Sequence, residues 1–110
     1  MAHDPELADR LYELLATEAD LTRKRMFGGE AFLLGGHLTV SASGRGGLLL
    51  RVDPAQAEAL LAEPLVGRFE MRGRPMNGWL RVDPAAVVSD AELRRWVMVG
   101  VDYVRTLPRS

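Results

Sequence analysis

Ala31-Phe32-Leu33-Leu34-Gly35-Gly36-His37-Leu38-Thr39-Val40-Ser41-Ala42 is the stretch that decides the fold. A short apolar run, bounded too closely for a helix, meets paired glycines and is followed by a second short run. Glycine pairs adopt positive φ without steric cost, which a tight hairpin turn requires. The segment reads as two antiparallel strands. Upstream, Arg25-Met26-Phe27 leads into Gly28-Gly29, another turn signal. Downstream, Ser43-Gly44-Arg45-Gly46-Gly47 reads as a loose hairpin loop, and residues 48–52 as the next strand. Residues 23–52 therefore form a β-meander.

Helices flank this meander. Asp4-Pro5 opens the first, with Asp4 as N-cap and proline at the first helical position. Leu7, Leu11, Leu14 and Leu15 share one apolar face, and the helix is expected to end near Ala19. Asp53-Pro54-Ala55-Gln56 starts a second, with Asp53 and Gln56 spaced as a capping box and Glu63-Pro64 as its end. Ser89-Asp90-Ala91-Glu92 is a capping box for the last helix, whose inner face carries Leu93, Trp96, Val97, Gly100, Val104 and Leu107. Residues 69–71 and 78–82 read as further strands, with a loop of turn formers over residues 72–77. Strands run consecutively instead of alternating with helices. The expected class is α+β: a mainly antiparallel β-meander sheet with an N-terminal helix, a middle helix and a long C-terminal helix covering one face. Residues 1–110 are expected to form one domain.

One hexapeptide occurs twice. Leu50-Arg51-Val52-Asp53-Pro54-Ala55 recurs as Leu80-Arg81-Val82-Asp83-Pro84-Ala85. Two copies do not make a solenoid. Each is expected to mark a strand leaving the sheet into a proline-initiated turn or helix.

Composition excludes whole classes of chemistry. The chain has no cysteine, so disulfides, thiolate metal sites and thiol nucleophiles are ruled out. No apolar run approaches the ~20 residues of a membrane helix. The start, Met1-Ala2-His3-Asp4-Pro5-Glu6, lacks the basic-then-apolar order of a signal peptide, and a cytoplasmic protein without membrane contact is expected. The net charge is −1. Its distribution is uneven: residues 1–20 hold one arginine against six acids, while residues 21–82 hold nine basic side chains against five acids. The pI of about 6.1 is far below that of a typical DNA-binding domain.

Candidate chemical groups are few. His3 and His37 have no partner that would complete a metal set, and His37 is expected to be a solvated strand residue. Ser41 and Ser43 flank a hairpin and do not occupy a nucleophile elbow. Gly44-Arg45-Gly46-Gly47 could cradle a phosphate, but a strand follows it, not a helix N-terminus. The basic clusters are Arg23-Lys24-Arg25 and Arg68, Arg72, Arg74. If the fold brings them together they form a patch for phosphates; otherwise they are a solvated surface paired with Glu30, Glu70 and the acidic first helix. Trp96 belongs to the core. Trp79, after Asn77-Gly78, either packs inside or lines a groove.

The order of several motifs carries a resemblance. Arg25-Met26-Phe27-Gly28-Gly29 follows a leading helix and precedes an apolar strand. The strand at residues 48–52 and the Asp53 helix start come next. Gly73-Arg74-Pro75-Met76 then precedes an aromatic strand, with Trp79 where tyrosine is common. In these features the chain resembles the TfoX/Sxy family N-terminal domain over about residues 8–107. The resemblance implies a regulatory domain. Full-length members of that family act as co-activators with the cyclic-AMP receptor protein in competence regulation and carry a second, C-terminal helical domain, which this sequence, ending at Ser110, is expected to lack. It supplies no catalytic residue, cofactor or metal. Three expectations follow. The first is a regulatory domain acting through protein partners, with a homodimer through a strand edge as one form. The second is direct nucleic-acid binding through Arg23, Lys24, Arg25, Arg72 and Arg74. The third is a small-ligand pocket beside Trp79.

Overall fold

A computed structural model describes residues 5–26, 28–44 and 46–108. The element order is α1 (Pro5–Leu15), β1 (Leu21–Met26), β2 (Gly29–Leu34), β3 (His37–Ala42), β4 (Leu48–Arg51), α2 (Ala57–Leu61), β5 (Val66–Met71), β6 (Arg74–Val82) and α3 (Asp90–Val104). The strands form one six-stranded sheet in the order β1-β2-β3-β4-β6-β5. Every pairing is antiparallel. This is the expected α+β class.

Alternation along the strands selects the buried face. Phe32, Val40, Leu50 and Leu80 are successive register partners across four strands, and so are Ala42, Leu48 and Val82 across three. They form one core with Leu7, Ala8, Leu11 and Leu15 of α1, Ala57 of α2, and Leu93, Trp96, Val97, Val101 and Val104 of α3. All three helices therefore cover the same face. Burying each of the valine, leucine and phenylalanine side chains among them is worth about 1.5–3 kcal/mol. Gly100 sets how closely α3 lies on the sheet: a Cβ there would stand 2.9 Å from Leu50 Cδ1 and 3.1 Å from the Arg51 carbonyl oxygen. On β3 an extra residue, Thr39, interrupts the register between Phe32–Val40 and Leu33–Leu38. The bulge brings Thr39 against α3, and its hydroxyl donates to the His37 carbonyl at 3.1 Å.

Several local expectations change. The Asp4 cap, His3, Phe27 and Arg45 lie outside the described residues. Helix α1 stops at Leu15, short of Ala19, and the chain turns through Asp20 at φ 61°. Residues 72–77 are not a loop. Arg72 and Gly73, at φ 55° and 78°, make a tight hairpin turn, and β6 begins at Arg74. Asp53 opens a 3-10 turn at Pro54–Gln56, and α2 follows as only five residues. The Asp53 carboxylate accepts the Ala55 N–H at 2.9 Å, whereas Gln56 makes no capping bond. Ser89 accepts the Glu92 N–H at 3.1 Å, while the Glu92 carboxylate turns to Arg95. That arginine also bonds Glu63, and its hydrogen bonds to Glu63 and Glu92 hold the guanidinium above its usual pKa. His37 is half-buried; its Nε2–H donates to the Pro108 carbonyl at 2.6 Å and ties the end of the chain to β3. No helix among the described residues is long and apolar enough to cross a membrane.

Candidate functional site

The two basic clusters do not meet. Arg23, Lys24 and Arg25 lie on β1, and Arg72 and Arg74 flank the β5–β6 turn; β2, β3 and β4 separate β1 from β6. At about 4.8 Å per strand the path along the sheet is on the order of 20 Å. That exceeds the Debye length of about 8 Å at physiological salt, so the clusters do not act as one patch.

Within each cluster the arginines differ. The Arg23 guanidinium lies 5.4 Å from the Tyr12 ring centre and 5.5 Å from that of Phe32. It also pairs with Glu30 at 3.2 Å and Asp9 at 3.6 Å. Arg23 thus clamps α1 to β1. Arg25 stands 86% exposed and reaches Glu30 only at 3.7 Å, a contact worth at most about 1 kcal/mol. Lys24 is exposed beside Ala31. Arg68 pairs with Glu58 of α2. Arg72 and Arg74 are exposed, as are Gly73, Pro75 and Met76 around them. Of the remaining motif residues, Met26 and Gly29 are register partners closing the β1–β2 hairpin, with Gly28 in its turn at φ 76°.

Trp79 stands in a cluster that the sequence did not reveal. It is half-buried on β6, directly across from Arg51 of β4. The Arg51 guanidinium lies 5.5 Å from the Trp79 ring centre and 5.6 Å from that of Tyr103 on α3. Both distances fall within cation–π range, worth about 0.5–1 kcal/mol each. Trp79 is therefore tied to α3 through Arg51. Among the described residues no ion pair or side-chain hydrogen bond engages Arg51.

The repeated hexapeptide does what was expected of it: each copy takes a strand out of the sheet into a proline-initiated turn. Leu50 and Leu80 pair directly, so the two copies run antiparallel on adjacent strands. Leu50, Val52, Leu80 and Val82 are all buried. Asp53 and Asp83 each accept the N–H of the alanine two residues on at 2.9 Å. Each proline then begins a 3-10 turn, Pro54–Gln56 and Pro84–Val87. The two arginines hold the same position in each copy, and both are half-buried. Among the described residues no group of three or more His, Asp or Glu is placed to hold a metal ion.

The model of the TfoX N-terminal domain matches residues 13–103. Neither curated proteins nor solved structures gave a match.

Proposed function

We propose a function from the premise that the chain belongs to the TfoX N-terminal domain family: it is a regulatory interaction domain that works by holding a partner protein, not by catalysis. In this reading it acts in the cytoplasm on the transcription machinery, with competence regulation as the setting. The observation that carries it is the division of the exposed cations between opposite sheet edges. A nucleic-acid backbone is best met by one continuous cationic face. Separate charged edges suit protein contacts, in which charge steers the encounter and fixes orientation. The test is biolayer interferometry of the immobilised chain against purified RNA polymerase and cyclic-AMP receptor protein from the same organism. Saturable binding to either is expected, and binding to neither overturns the reading.

The second reading is direct nucleic-acid binding through Arg23, Lys24, Arg25, Arg72 and Arg74. The exposed arginines of the β5–β6 turn favour it, whereas Arg23 is already engaged by Asp9 and Glu30. It requires a gel shift at low salt that weakens steeply as salt rises and fades in the Arg72→Ala, Arg74→Ala double variant.

A further inference from the structure

Arg81 is the counterpart of Arg51, but no ring lies against its guanidinium among the described residues. Its register partners are Leu49 on β4 and Gly67 on β5. Leu80 and Val82 beside it face the core, so by alternation Arg81 belongs to the face away from the helices. It is half-buried, and among the described residues its side chain makes no ion pair or hydrogen bond. A guanidinium stays charged at any working pH. Partial burial of such a charge without an acceptor is unfavourable.

A cavity of about 310 Å³ opens at this arginine, lined also by Gly46, Leu65, Gly67, Arg68 and Pro84. The volume is at the lower end of the range for small-molecule sites, about 300–1,000 Å³. Gly67 helps keep it open: a Cβ there would meet nothing within 4 Å. Leu65 supplies a separate observation. It holds φ at 68° and is 50% exposed. That conformation costs an L-residue about 1–2 kcal/mol. The Asp83 N–H, donating to the Leu65 carbonyl at 2.8 Å, helps hold it. An apolar side chain is thus kept in water, under backbone strain, at the rim of a cationic cavity. The other charged lining groups are engaged: Arg68 by Glu58, and Asp83 by the Ala85 N–H at 2.9 Å.

We propose that the cavity at Arg81, Gly67 and Leu65 binds a small molecule that joins an oxyanion, carboxylate or phosphate, to a short apolar group. The guanidinium edge takes two oxygens of the anion side by side. Leu65 and Pro84 meet the apolar end. This site is independent of the partner-protein reading, and either can fail without the other.

The test uses the full chain, ¹⁵N-labelled, titrated at fixed ionic strength with pentanoate (butyl carboxylate), butyl phosphate and inorganic phosphate. Saturable shifts of the Gly46 and Gly67 amides and the Arg81 Nε–H are expected with at least one butyl probe. Whichever butyl probe binds tighter identifies the anion. Inorganic phosphate should bind about tenfold more weakly, since it buries no methylenes. Arg81→Gln should weaken binding about tenfold or more, as loss of a charge-assisted pair predicts. Gly67→Leu should block the cavity in a chain that still folds, because the added side chain enters open space. Arg51→Gln should leave binding unchanged. No saturation with either butyl probe overturns the proposal. So does equal binding by inorganic phosphate, or unchanged binding in Arg81→Gln or in folded Gly67→Leu.

Discussion

The first Leu-Arg-Val-Asp-Pro-Ala segment, residues 50–55, and the second, residues 80–85, share six residues and the same aspartate-to-alanine cap, yet their arginines meet different surroundings. The aspartates have similar φ and ψ, −61° and 121° at Asp53 against −63° and 145° at Asp83. Capping and turn initiation are decided within a few residues, so both copies open an Asp-capped 3-10 turn at proline. What surrounds the arginine is decided across the sheet. Arg51 faces Trp79, and Arg81 faces Leu49. Two aromatic rings engage the first arginine, while the second borders a cavity. A repeat can therefore be structural in five of its residues and divergent in use at one.

The sharpest way to break this comparison lies in the glycines on which the two turns rest. A Cβ on Gly47 would stand 2.2 Å from the Val82 carbonyl oxygen and 3.1 Å from Pro84 Cδ, at a φ of 73°. A Cβ on Gly78 would stand 3.3 Å from the Val52 carbonyl oxygen and 3.2 Å from Pro54 Cγ, at a φ of 85°. Each glycine thus lets one strand approach the valine–proline corner of the other copy. Gly47→Ala should cost about 3 kcal/mol, combining backbone strain with a clash against main chain. Gly78→Ala should cost about 1–2 kcal/mol, mostly strain. Urea denaturation measures both, and equal losses would mean that the two corners are packed alike.

Next in size are the caps. Asp53→Ala and Asp83→Ala each remove one carboxylate bond to an alanine N–H, worth about 1–2 kcal/mol. The two losses should agree within about 0.5 kcal/mol, because the bonds are equal in length. A larger gap would show that the flanking elements, α2 after one turn and α3 after the other, load the turns unequally.

These turns show what the sequence could reveal. Asp-Pro after a β run and Ser89 before an apolar helical stripe are local signals, and both stand where expected. The paired Gly35 and Gly36, at φ 59° and 87°, turn the central hairpin as read. Pro75 misled, because proline usually interrupts a sheet. Here β4 pairs only with residues from Trp79 to Val82 of β6, so Pro75 lies in a two-stranded ribbon, where one of its sides has no strand to bond. The Thr39 bulge and the Arg51–Trp79 pairing depend on register between distant segments, which no local pattern encodes. The candidate arginines chosen by clustering in sequence proved to sit on opposite edges. The isolated ones, Arg51 and Arg81, hold the half-buried positions.

The smallest predicted difference is also the one closest to function. Arg51→Met should lower stability by about 1 kcal/mol: two cation–π contacts are lost, and the thioether recovers part of the ring contact. Arg81→Met loses no partner within the chain and removes an unpaired, half-buried charge, so it should stay within about 0.5 kcal/mol of the parent in either direction. Thermal melts can separate the two, since 1 kcal/mol moves the Tm of a chain this size by about 4–8 °C. If both variants fall equally, Arg81 has a partner inside the fold, and the cavity loses its uncommitted charge. If only Arg51→Met falls, one arginine holds the sheet to α3, and its twin keeps a guanidinium edge that no partner inside the fold engages.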